Sequence, residues 1–106
     1  ANLPRYRVMV RVAPAILPRL RYAGRFAKIE QIEPPDSDGW SKVCIQFDVE
    51  EAACEYVLSF GSQIEVVQPQ ELREKVVHLA QSIVDFYAQR KIAPSNLENR
   101  SPWHGE

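Results

Sequence analysis

Tyr56-Val57-Leu58-Ser59-Phe60-Gly61-Ser62-Gln63-Ile64-Glu65-Val66-Val67-Gln68-Pro69-Gln70-Glu71-Leu72-Arg73-Glu74-Lys75-Val76 changes backbone regime three times within one short stretch. Tyr56, Val57 and Phe60 fall at helical spacing, and Gly61 follows as the residue able to take the left-handed conformation that closes a helix. Ile64 to Gln68 then reads as a strand. Pro69 suits a first helical turn because its φ is pre-set and the N–H it lacks would be unpaired there anyway. It opens a last helix whose apolar stripe begins at Leu72 and Val76.

Toward the C-terminus that stripe continues through Leu79, Ala80 and Ile83 to Phe86 or Tyr87. A helix from Pro69 to about Gln89 is roughly 30 Å long at 1.5 Å per residue, so its end should pass the edge of any sheet a chain this size builds. Beyond about Ile92 the periodicity is lost among Pro94, Ser95, Asn96, Asn99, Ser101, Pro102 and Gly105, and residues 92–106 are expected to be a disordered tail.

Toward the N-terminus, Glu50 to Phe60 is expected to be a helix, with Glu50 and Glu51 complementing its dipole and Ala53, Tyr56, Val57 and Phe60 along one stripe. Lys42 to Asp48 alternates, with Val43, Ile45 and Phe47 inward and Lys42, Cys44, Gln46 and Asp48 outward. Pro34-Pro35-Asp36-Ser37-Asp38-Gly39 is a turn cluster. Ala27 to Glu33 is a weaker strand whose parity stays open, because Ile29 and Ile32 fall on opposite faces of a regular strand. Ile16, Leu17 and Leu20 behind Pro14 predict a helix over 14–23; Pro18 either kinks it or begins it. Arg5 to Val12 alternates strictly, with Tyr6, Val8, Val10 and Val12 on one face and Arg5, Arg7, Met9 and Arg11 on the other.

The resulting order is α+β and ferredoxin-like, βαββαβ: a four-stranded antiparallel sheet with helices on one face, plus an added long C-terminal helix. The second face of the sheet is then open and displays Arg7, Met9, Arg11, Cys44 and Gln46. RNA-recognition domains stack bases on such a face with aromatic side chains, which these strands lack.

A chain of 106 residues with 45% hydrophobic content supports one domain and one modest core. The net charge of -1 conceals an asymmetry. Through residue 30 seven bases (Arg5, Arg7, Arg11, Arg19, Arg21, Arg25, Lys28) stand against Glu30, whereas the remainder holds six bases and thirteen acids. Such a bipolar chain has either two ordinary solvated ends or a basic surface that meets phosphate or an acidic partner. No apolar run is long enough to span a membrane and no signal-peptide pattern opens the chain, so a cytoplasmic protein is expected. Cys44 and Cys54 are expected to be free thiols. The start at Ala1-Asn2-Leu3-Pro4 suggests a fragment of a longer protein, with residues 1–5 as linker.

Catalytic signatures are weak. His78 and His104 have no Cys, Asp or Glu at ligand or triad spacing. Asp36, Asp38 and Gly39 look like the start of a calcium loop but lack its acidic twelfth position. With four glycines in all, the chain offers no glycine-rich phosphate loop. Neither an enzyme nor a bound cofactor or metal is expected.

The quoted stretch resembles the C-terminal extension, called WCX, of bacterial WYL-domain transcription regulators. An aromatic-aliphatic helix end, a glycine, a strand of the form x-Val-x-x-Pro and Glu71-Leu72-Arg73-Glu74 followed by Val76 occur there in this order. The resemblance extends by element order over residues 6–91. It implies a non-catalytic regulatory or dimerisation domain, with Gly61, Pro69, Leu72 and Val76 as its structural motif. It also implies the regulator's own WYL domain as a partner, a homodimer, and DNA contact only through a helix-turn-helix that these residues lack. Arg7, Arg11 and Gln46 are the candidate ligand or partner contacts, and Phe86 and Tyr87 the candidate dimer contacts. The alternative is a small-ligand or nucleotide-sensing ferredoxin-like module.

Overall fold

A computed structural model describes residues 6–22 and 27–90. The expected linker at 1–5 and tail at 92–106, with His104, lie outside the described residues. Strand β1 (Tyr6–Val12) pairs antiparallel with β3 (Ser41–Phe47) along its whole length, from Tyr6 opposite Phe47 to Val12 opposite Ser41. On its other side it pairs antiparallel with β4 (Ile64–Gln68), placing Val10 opposite Val66 and Val12 opposite Ile64. Strand β2 (Ala27–Ile32) closes the far edge, and the sheet order is β2-β3-β1-β4. The alternation read from the sequence holds: Val8, Val10, Val12, Val43, Ile45, Phe47, Ile64 and Val66 all face one core.

In β2 the register shifts between Ile29 and Gln31, so that Ile29 lies opposite Ile45 while Ile32 lies opposite Val43. Both partners belong to the core face. One extra residue, Glu30, is therefore inserted as a bulge and returns Ile32 to the side of Ile29. A strictly alternating template has no room for such an insertion, which is why the parity of this strand does not resolve from sequence.

The α-helix expected over 14–23 is not formed. Its place is taken by a 3-10 segment, Leu17–Tyr22. The N–H groups of Ile16 and Arg19 donate to the carbonyls three residues back, those of Ala13 and Ile16, at 3.1 and 2.8 Å. Pro18 has no N–H to offer and its ring clashes with the carbonyl four residues earlier, so the tighter turn wins. Ile16 and Leu20 still plug the core. The ferredoxin-like expectation thus holds for the four-stranded antiparallel sheet and its second half, and fails at the first helix.

Helix α1 (Glu50–Ser59) carries Glu50 and Glu51 in its first turn and buries Ala53, Cys54, Tyr56 and Val57 against the sheet. The Tyr56 ring meets Phe47 and Phe60 edge to face, with centroids 5.2 and 5.3 Å apart. Gly61 follows at φ +61°, the left-handed conformation anticipated for it, and begins a 3-10 turn (Gly61–Gln63) that delivers the chain to β4. Cys44 and Cys54 are free.

Pro69, joined to Gln68 by a cis peptide bond, leads into α2 (Gln70–Arg90). Its carbonyl accepts from the N–H groups of Leu72 and Arg73 at 3.1 and 3.2 Å. Leu72 is wholly buried and Val76 packs on the core. Lys75 Nζ reaches Glu50 at 2.7 Å, and the Tyr6 hydroxyl donates to the same carboxylate at 3.4 Å, tying α2, α1 and β1 together. Past Val76 the helix leaves the body. Its 21 residues span about 31 Å, whereas the five residues of β4 span about 17 Å, so the strand can back only about half of the helix.

Emptying the Leu72 site should cost about 2 to 4 kcal/mol, with Val76→Ala costing less, read as midpoint shifts in urea unfolding. Unchanged midpoints for both would mean that α2 does not dock on this sheet. Gly61→Val should destabilise by about 1 to 2 kcal/mol through backbone strain alone, since nothing lies within 4 Å of the added Cβ.

Candidate functional site

Two surfaces remain after the core is built. The first is the open face of the sheet, where Arg7, Met9, Arg11, Cys44 and Gln46 lie as expected. Arg7 and Gln46 are neighbours across β1 and β3, and both turn to Glu30. Arg7 contacts that carboxylate through Nε at 3.1 Å and Nη2 at 3.0 Å, Gln46 Nε2 donates to it, and the Cys44 thiol lies 3.4 Å away. Glu30 is the bulge residue, so the irregularity in β2 is what puts a carboxylate in the middle of three donors.

Arg11 anchors a second cluster, separate from the first. Its guanidinium contacts Glu65 at 2.9 Å, Asp36 at 3.2 Å and Asp38 at 3.4 Å, and stacks over Trp40 at 5.2 Å. Arg73 of α2 joins through Glu65 at 3.0 Å and the Val66 carbonyl at 2.8 Å. Asp36 also accepts the N–H groups of Asp38 and Trp40, an Asx turn that fixes the loop. Two of the N-terminal bases, Arg7 and Arg11, are in this way met by the protein's own acids.

Burial pushes the Glu30 carboxyl upward, but hydrogen bonds from Cys44, Arg7 and Gln46 outweigh it and hold the group below the usual range. Asp36 follows the same pattern, with burial opposed by the Asp38 N–H and Arg11. Glu65 is lowered by Arg73 and then Arg11, and Glu50 chiefly by Lys75. Burial, followed by the Glu30 contact, raises the Cys44 thiol, which keeps it protonated and poorly nucleophilic. Among the described residues no three His, Cys, Asp or Glu side chains group to hold a metal.

The second surface is α2 itself. Leu79 is 37%, Ile83 48%, Phe86 54% and Tyr87 69% exposed, and Val77 and Val84 are also uncovered. Phe86 and Tyr87 meet edge to face at 5.4 Å, and Arg90 lies 5.5 Å over the Phe86 ring. Where α2 departs from the body, a groove of about 330 Å³ opens between α1, β4 and α2. Its floor is Val57, Leu58, Ile64 and Val66, and its α2 wall includes Val76 and Ala80.

Of the residues singled out from sequence, the structure joins Arg7 with Gln46, keeps Arg11 apart from them, and leaves Phe86 and Tyr87 together on the uncovered helix end. The reading missed Glu30, Glu65, Arg73 and Trp40. Strand alternation was enough to place Glu65 on the open face, but its position opposite Arg11 comes from the pairing of β4 with β1. Glu30 was hidden by the bulge.

The family model of the WCX domain matches residues 4–84. The chain belongs to the WCX domain family. No curated protein matches it. Among solved structures, this WCX domain is similar to proteasome accessory factor B/C (PafBC) of Arthrobacter aurescens, with a TM-score of 0.66 and 26% identity. The match covers 81% of this chain and 13% of that one, so the WCX domain corresponds to a small part of its relative. No described helix of the domain is long and apolar enough to cross a membrane.

Carboxylates held low in the folded state contribute stability that is fully present above their unfolded range, near pH 4, and is lost as pH falls through the lower folded values. Thermal midpoints should therefore be level near neutrality and fall below about pH 5. A triple variant, Glu30→Gln with Asp36→Asn and Glu65→Gln, should flatten that acid limb; an unchanged limb would deny these pairs their role. Arg11→Glu should lower the midpoint at pH 7 more than Arg7→Glu, because it sets a fourth carboxylate among three.

Proposed function

We propose that this WCX domain is a non-catalytic regulatory and dimerisation module of a bacterial WYL-type transcription regulator. Membership of the WCX family and the likeness to PafBC support the regulator context. The observation that carries dimerisation is the uncovered apolar length of α2. A monomer leaves Leu79, Ile83, Phe86 and Tyr87 in water at a cost that association relieves.

In this reading DNA is contacted by a helix-turn-helix elsewhere in the regulator, in the cytoplasm, and the present residues set how two copies stand to one another. A two-fold pair suits a protein reading paired half-sites. The polar sheet face, with Arg7, Gln46 and Arg11, is turned toward the regulator's own WYL domain. Small-ligand sensing on that face ranks second, because a ligand would first have to displace Glu30, Glu65 and Asp36 from the guanidinium groups it needs.

Sedimentation velocity at tens of micromolar tests the first claim: a dimer is expected, and a monomer across that range overturns it. For the second, Arg7→Glu in the intact regulator should change reporter output while the isolated domain stays folded, its midpoint lowered only modestly. Unaltered output would return Arg7 to ordinary solvated surface.

A further inference from the structure

Resting on the dimerisation reading, we propose that the groove between α1, β4 and α2 receives Tyr87 of a second copy. The two α2 helices lie antiparallel about a two-fold axis near Ser82, and each fills the other's groove.

At 3.6 residues per turn, Val76, Val77, Leu79, Ala80, Ile83, Val84, Phe86 and Tyr87 cover roughly half the helix circumference, with Tyr87 on the groove side of that arc and Phe86 about 100° round from it, at the edge of the contact. The row Val77, Ala80, Val84 and Tyr87 runs straight out of the groove, whose α2 wall contains the first two of these residues. A dyad near Ser82 sets Val84 opposite Ala80, and Tyr87 opposite Val77 at the groove mouth. The small Ala80 lets the helix axes approach closely. A parallel pair would instead stack Tyr87 on Tyr87 and leave both grooves empty.

Charge and area agree with this arrangement. From Val76 to Val84 the helix has no Asp, Glu, Lys or Arg, and the two charged residues that line the groove, Arg73 and Glu65, are paired with each other at 3.0 Å. The other charges of α2 lie outside, and the antiparallel sense brings Arg90 of one copy alongside Glu71 and Glu74 of the other with the helix dipoles opposed. The exposed apolar side chains of α2 present on the order of 600 Å² per copy, at the upper end of what a monomer ordinarily shows. Burying that patch from both copies removes roughly 1,200 Å², the lower bound of a standard specific interface.

The test uses the whole chain with Cys44→Ser and Cys54→Ala, and nitroxide labels on Ser82→Cys or Gln89→Cys in separate samples. Pulsed electron spin resonance should give a short separation at 82, near the interaxial distance of about 10 Å plus the label arms, and one roughly 10 Å longer at 89. Equally short separations at both sites would mean parallel helices; that overturns the groove assignment and leaves dimerisation standing. Ala80→Arg, at an exposed position and with its fold checked by circular dichroism, should give a monomer, and Tyr87→Ala should weaken the dimer by roughly tenfold or more. A dimer indifferent to both substitutions would place the interface elsewhere. A wild-type chain that stays monomeric overturns this proposal and the dimerisation reading together.

Discussion

The row Val8, Val10 and Val12 on β1 is the feature on which the rest of the structure depends. β1 lies inside the sheet, with β3 on one side and β4 on the other, so its inward side chains are shielded on every flank. Ile45 and Val43 stand across from Val8 and Val10, and Val66 and Ile64 across from Val10 and Val12. The 3-10 segment, α1 and the first turns of α2 are three lids over this one row. Because the row is short, so is the area that a helix can cover. The uncovered length of α2 follows from the size of the sheet as much as from the helix's own sequence.

The back of the same strand does different work. Arg7 and Arg11 alternate with the valines, so the pleat that buries one set lifts the other onto the open face. The chain looks bipolar when its charges are counted along the sequence, yet its acids and bases meet once β2, β4 and the loop at Asp36 close around β1. These are largely exposed pairs, and each contributes little by itself. Their collective effect is to define where the loop and the edge strands stand. At Arg7 and Arg11, the positions that a phosphate or an acidic partner would use on the open face, the guanidinium groups already have partners from within.

What could be read in advance was what has a period. The alternation in β1 and β3, the stripe of α1, the left-handed Gly61 and the start of α2 at Pro69 are local rules, and each appears in the structure as local geometry. Two elements escaped for the opposite reason. Pro18 forbids the α-helical bond without saying which turn replaces it, and the choice of a 3-10 segment depends on Ile16 and Leu20 still reaching the core. Glu30 is an insertion, visible only against the strand that pairs with it. The partners of Arg7 and Arg11 were hidden likewise, since they come from β2, β4 and a loop whose relative placement no single segment encodes.

The bulge at Glu30 has an effect beyond placing a carboxylate. β2 is an edge strand, and an edge with regular spacing is a template onto which another chain can add a strand. An extra residue breaks the spacing and sharpens the local twist, so a foreign strand laid along Ala27–Ile32 cannot keep register past its middle. β4, the opposite edge, is five residues long and runs straight into Pro69, which has no N–H to give a neighbour. Neither border of the sheet invites continuation into a fibril or an intersubunit ribbon.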